Sequence, residues 1–75
     1  MWEEIDNQLV KTFTFNDFDE AWAFMEQVAE LAKKLDHHPR WINDYNMVKF
    51  ELSTHSANGI TDKDRQLATA IDNLF

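Results

Sequence analysis

An α+β fold is what this sequence predicts. The element order is β-β-α-β-β-α over a single domain of residues 1–75, a four-stranded antiparallel sheet with helices packed on one face. Three observations predict it. Apolar and polar residues alternate along two stretches that end in 15 and 54. Apolar residues recur at helical spacing over 17–35 and 62–74. Turn signals at Asp6-Asn7, Tyr45-Asn46 and Ala57-Asn58-Gly59 punctuate the chain, and no linker, repeat or low-complexity run divides it.

The first hairpin takes residues 2–5 as a short strand, Asp6-Asn7 as its turn and 9–15 as its second strand. Leu9, Phe13 and Phe15 share a face there with Lys11, which interrupts the alternation, while Thr12 and Thr14 point the other way. Asn16 is the expected cap of the helix 17–35, with Asp19 as its reciprocal partner and Asp17 and Glu20 favouring the positive end of the dipole. Phe18, Trp22, Met25, Ala29, Ala32 and Leu35 form the helical stripe, widened by Ala21, Phe24, Val28 and Leu31. A stripe so broad exceeds what one sheet face needs, which implies a contact between subunits. Pro39 stops any helix, because its ring drives His38 out of the α region.

The second hairpin pairs 41–45 with 47–54 about Tyr45-Asn46. Val48, Phe50 and Leu52 face the core, and Lys49, Glu51, Ser53 and His55 face outward. A register that sets 41 against 52 places His38 opposite His55, within the roughly 5 Å of facing residues. Thr61 with Asp64 forms a capping box for the last helix, whose apolar face is Leu67, Ala68, Ile71 and Leu74, flanked by Ile60 and Phe75.

A domain of this size buries only about 60% of its unfolded surface. The chain has no cysteine, so disulfides and thiolate metal sites are excluded, and three tryptophans with six phenylalanines lead to the expectation of a homo-oligomer. Fourteen acidic against seven basic side chains give a net charge of −7, which disfavours nucleic acid and anionic membrane surfaces. The apolar runs are too short to span a bilayer. Met1-Trp2-Glu3-Glu4 carries neither a basic nor an apolar leader, so the expected location is the cytoplasm.

All three histidines fall in two segments, Asp36-His37-His38-Pro39-Arg40-Trp41 and Ser53-Thr54-His55, which a hairpin would bring together. Incidental surface histidines are one reading. A metal site is another, although only Asp36 or Asp64 offers a fourth ligand and adjacent histidines in extended chain point apart. The third is proton transfer to an organic substrate, with Trp41 as an apolar wall and Asp36 or Asp64 orienting an imidazole. No nucleophile elbow or Gly-rich phosphate loop is present, so addition or loss of water fits better than acyl or phosphoryl transfer.

Lys34-Leu35-Asp36-His37-His38-Pro39-Arg40-Trp41, then Tyr45-Asn46, Leu52-Ser53-Thr54-His55 and Gly59-Ile60-Thr61-Asp62-Lys63-Asp64, resembles the pterin-4a-carbinolamine dehydratases. Phe13-Thr14-Phe15, Phe18, Ala21, Phe24-Met25 and Val28-Ala29 extend the likeness over essentially the whole chain from Trp2. The resemblance implies dehydration of 4a-hydroxytetrahydropterin to quinonoid dihydropterin, with no metal and no organic cofactor, in the recycling that serves aromatic amino acid hydroxylases. It implies a catalytic set of His37, His38 and His55, with His37 and His55 at the acid/base positions and His38 at one that also binds substrate. Asp36, Pro39, Trp41, Ser53, Thr54 and Asp64 are the implied substrate-binding residues. A homodimer or homotetramer is implied too. Some animal members double as dimerisation cofactors for a homeodomain transcription factor, a role that nothing in this acidic sequence supports. The rival reading is a non-catalytic pterin-binding or dimerisation-cofactor module on the same fold. Family members usually carry a helical segment before the first strand, and this chain begins almost at that strand, a departure that bears on core coverage, stability and oligomeric state and leaves catalysis expected if the fold forms.

Overall fold

Two hairpins and two helices form in the predicted order. A computed structural model describes residues 1–75. The strands are β1 (Glu3–Ile5), β2 (Gln8–Thr14), β3 (Arg40–Asp44) and β4 (Met47–Leu52), and the helices are α1 (Phe18–Leu35) and α2 (Asp62–Leu74). The sheet is antiparallel throughout, in the order β1-β2-β4-β3. Leu9 and Phe13 of β2 and Val48, Phe50 and Leu52 of β4 turn their side chains toward the helices. There they meet Ala21, Phe24, Met25 and Val28 of α1 and Leu67, Ala68 and Ile71 of α2. Phe50, Leu52, Leu67 and Ile71 are fully buried, and each such side chain stabilises the fold by about 1.5–3 kcal/mol relative to exposure.

Lys11, the break in the β2 alternation, has a use on the helix side. Its ammonium lies 2.8 Å from Asp72 Oδ1 of α2 and 4.9 Å from the centre of the Phe13 ring. The Trp2 indole N–H donates to the same carboxylate at 3.1 Å. The start of the chain is thereby clasped to the last helix.

The helical stripe is divided. Ala21, Phe24, Met25, Val28 and Ala32 are buried, whereas Phe18 and Trp22 stack on one another at 6.1 Å on the outside, with Trp22 52% exposed. The cap of α1 is Asp17 rather than Asn16. Asp17 Oδ1 accepts the Glu20 N–H, and Glu20 reaches back to the Asn16 N–H at 3.0 Å, so the expected box is displaced by one residue.

The second hairpin departs from the expected register by two residues. Arg40 pairs with Glu51 and Trp41 with Phe50, so continuing the ladder places 38 opposite 53, not opposite His55. The reason is the length of the loop. Only Tyr45 and Asn46 separate Asp44 from Met47, and pairing must be symmetric about that turn. Tyr45 takes a left-handed φ of 52°, and the Asn43 amide locks the turn by donating to the Tyr45 and Met47 carbonyls. A shift of two leaves the faces unchanged, so the core pattern survives. β4 also stops at Leu52, short of the expected 54. Thr54 instead bridges Gly59, and His55–Ala57 form one turn of 3₁₀ helix between them.

Candidate active site

One carboxylate holds the site together. Asp64, in the first turn of α2, is 0% exposed yet fully hydrogen-bonded. Its Oδ2 accepts the Thr54 hydroxyl at 2.8 Å and the Thr61 backbone N–H at 2.9 Å. Its Oδ1 lies 2.5 Å from His37 Nε2. Thr54 has a single hydroxyl proton, already given to Asp64, so the 2.6 Å contact between the two threonine hydroxyls runs from Thr61 to Thr54. The capping signature read as a helix start is therefore also the centre of the site.

His37 reaches Asp64 because of how α1 ends. Asp36 adopts a left-handed φ of 52° and donates its N–H to the carbonyls of Ala32 and Lys33. The His37 N–H closes back on Ala32 O at 3.1 Å. Asp tolerates this conformation better than most residues. The reversal carries His37 over the start of α2, where its side chain is 11% exposed. Pro39 then sets the chain into β3.

Burial on its own would raise the Asp64 carboxyl. The hydrogen bonds from His37, the Thr61 amide and Thr54, with the charge of His37, outweigh it and hold the group below its ordinary 3.8. An ionised Asp64 can only accept, so His37 Nε2 carries the proton that it shares with Asp64. Nδ1 makes no hydrogen bond within the protein, and in the neutral imidazole it is the nitrogen that carries no proton. A carboxylate behind an imidazole fixes its tautomer and stabilises the imidazolium that forms when it takes a proton.

The other expected residues are placed as follows. His55 stands on the 3₁₀ turn directly after Thr54, exposed and without a side-chain hydrogen bond. His38 is exposed beside His37, and Asp36, also exposed, keeps a free carboxylate. Pro39 and Ser53 are half-buried, and Trp41 is half-buried with its ring edge-on to Phe50 at 5.4 Å. Asp64 thus joins the two histidine-bearing segments, through His37 on one side and Thr54 on the other. No three His, Asp or Glu side chains converge as a metal-ligating group.

Sequence reasoning missed the third wall. Leu9 pairs with Leu52, which sets the β1–β2 turn beside Ser53. A cleft of about 180 Å³ lies between that turn and His55. Nothing local in the sequence links Asp6-Asn7 to Ser53-Thr54-His55, because only the non-sequential β2–β4 pairing brings them together. A larger shallow groove along α1, between Leu31 and Leu74, holds no histidine and lies away from this chemistry.

The sequence model of a family described as pterin 4 alpha carbinolamine dehydratase matches residues 1–74. A Prochlorococcus marinus (strain NATL2A) protein provisionally named pterin-4-alpha-carbinolamine dehydratase is 54% identical over 72 residues, 95% of this chain and 76% of that protein. A Bradyrhizobium sp. (strain ORS 278) protein of the same provisional name is 49% identical over 73 residues, 95% of this chain and 73% of its own. The crystal structure of a transcriptional coactivator/pterin dehydratase from Brucella melitensis superposes with a TM-score of 0.93 at 43% identity, covering 96% of this chain and 79% of that one. A pterin dehydratase-like protein identified as a RuBisCO assembly factor in the alpha-carboxysome superposes at 0.80 with 21% identity, covering 99% of this chain and 86% of that one, a likeness of fold alone. The chain belongs to the pterin-4α-carbinolamine dehydratase family.

Proposed function

We propose that the protein catalyses loss of water from 4a-hydroxytetrahydropterin to give quinonoid dihydropterin. The observation that carries this reading is the buried Asp64 carboxylate, which holds His37 through Oδ1 and, through Oδ2, the Thr54 hydroxyl immediately before the exposed His55. His37 takes the proton from N5, and the electron pair released forms the C4a=N5 double bond. The C4a–O bond breaks as His55, acting as the acid, protonates the departing hydroxyl. One proton is accepted and one donated, so the enzyme returns to its starting state after these protons re-equilibrate through solvent. His38, Pro39, Trp41 and Ser53 border the pterin in this reading, and Asp36 accepts a hydrogen bond from it. Thr54 and Asp64 act through His37 as positioning residues. The assay is stopped-flow dehydration of substrate generated in situ, with EDTA present. Acceleration over the spontaneous reaction is the expected result; none from folded protein would leave the non-catalytic pterin-binding or dimerisation module as the reading. The corresponding setting is cytoplasmic tetrahydropterin recycling beside an aromatic amino acid hydroxylase.

Assembly into a homodimer fits the free edge of β3. The Phe15 N–H donates to Asn46 O, so residues 47, 49 and 51 of β4 turn their backbone groups toward β3, where 44, 42 and 40 answer them. The backbone groups of Trp41 and Asn43 therefore face outward. A two-fold pairing centred on Ile42 joins them in two reciprocal pairs and sets Arg40 opposite Asp44 of the second copy. The other edge, β1, is three residues long and carries Glu3 and Glu4, so two copies of it repel. Ile42→Lys places like charges on the axis and is expected to give monomers in sedimentation; an unchanged assembly would exclude this edge.

A further inference from the structure

Of the residues with a left-handed backbone, Asp6, Asn7, Asp36 and Asn58 have short polar side chains that suit the conformation. Tyr45, at φ 52°, does not. An aromatic residue there is strained, and Asn or Gly would make the same turn at lower free energy. Nothing within the chain offsets that strain. The side chain is 62% exposed, and only the backbone carbonyl is engaged, by the Asn43 amide. A strained, exposed aromatic at the end of an unpaired strand points to a contact made outside the chain.

The free edge of β3 supplies that contact. In the two-fold pairing centred on Ile42, Arg40 stands opposite Asp44 of the second copy, and one step further Tyr45 stands opposite Pro39. Pro39 has no N–H, so the ladder ends there and the neighbour meets its ring rather than a backbone partner. Trp41 is then the diagonal neighbour of Tyr45, at roughly 7–8 Å and within reach of an aromatic side chain. Trp41 pairs with the buried Phe50, and Asn43 with the buried Val48, so both lie on the helix side of the sheet, the side of His37 and Asp64. The Trp41 ring meets Phe50 edge-on and is only half-buried by its own chain.

We infer that the site is shared between two copies: Tyr45 of one copy packs on Pro39 and Trp41 of the other and closes the side of the pterin site that those residues border. This role presupposes the dehydratase reading and the β3 pairing. Arg40 and Asp44 meet once on each side of the axis, so opposite charges favour the same register. Because the relation is two-fold, each copy gives one tyrosine and receives one.

Tyr45→Asn suits the left-handed turn and so preserves the hairpin, with a urea midpoint at or above that of the wild type. In dimeric protein it is expected to raise KM for the 4a-hydroxypterin about three- to tenfold, the worth of one aromatic contact, with kcat little changed. Monomeric Ile42→Lys is expected to show the same rise, although its own Tyr45 and histidines are intact. Complementation reads the sharing directly. When Tyr45→Asn protein is refolded from urea with an excess of His55→Ala protein, each Tyr45→Asn chain keeps its histidines and receives a tyrosine from its partner. Its kcat/KM per Tyr45→Asn chain is expected to return toward the wild-type value. A kcat/KM that stays low through the titration would overturn the sharing, as would a wild-type KM in Tyr45→Asn or in monomeric Ile42→Lys. In each of those cases turnover by the wild type would still uphold the dehydratase reading. A dimeric wild type that gives no acceleration would overturn both.

Discussion

Asp64→Ala brings the protein to the edge of unfolding. The side chain is wholly buried and serves three donors, from His37, Thr54 and the Thr61 backbone. Its loss leaves the Thr61 amide without its acceptor, takes from the Thr54 hydroxyl its carboxylate partner and removes the Asp64 half of the α2 capping box. Breaking a buried charged network of this kind costs about 3–5 kcal/mol. A 75-residue domain has only some 4–11 kcal/mol in total. Urea unfolding followed by far-UV circular dichroism is the measurement, and a wild-type midpoint in the variant would refute the role given to this carboxylate. Asp64→Asn keeps one acceptor and is the milder change.

The same group gives stability a pH dependence of known sign. The folded state holds the Asp64 carboxyl below its ordinary value, so the unfolded chain binds the proton more readily. Its contribution is complete well above the ordinary value of 3.8, where the unfolded carboxyl is fully ionised, and is lost as pH falls through the lower folded value. The gap in stability between wild type and Asp64→Asn is accordingly expected to narrow as the pH falls below about 4. A gap that widened below about pH 4 would contradict the direction of the shift.

His55→Ala is the converse case, a large loss of turnover with no loss of fold. His55 is exposed and bonded to nothing, so its removal leaves no buried group without a partner. A positioned acid contributes about 10²–10⁴-fold to rate, and the variant is expected to lose that much in kcat at an unchanged urea midpoint. His37→Ala is expected to lose both rate and stability, because it leaves Asp64 Oδ1 buried without its donor, a cost of about 1–3 kcal/mol. Wild-type turnover in His55→Ala would remove it from the reaction.

The pattern of the sheet and helices was legible because it is set locally. Alternation, helical spacing and the Thr61-Asp64 signature each act over a few residues, and all three placed their elements within a residue or two. The register of the second hairpin was not, since it depends on loop length, and a symmetric count about Tyr45-Asn46 yields Arg40 against Glu51. The site was half legible. His37, Thr54 and Asp64 stood among the residues that the resemblance singled out, but their hydrogen-bonded linkage through one carboxylate depends on the left-handed turn at Asp36 and on the seating of α2. The β1–β2 turn was invisible for a different reason: it meets His55 only through a strand pairing between residues 33 to 43 positions apart.

The Thr61 amide gives the site a built-in clock. Its only acceptor is Asp64 Oδ2, at the mouth of α2, so its proton can leave for solvent only when that carboxylate lets go. The Thr54 hydroxyl is held by the same oxygen, and His37 by the other oxygen of the same carboxylate. Deuterium uptake at this one backbone position therefore counts how often Asp64 Oδ2 lets go of the start of α2 in the resting protein.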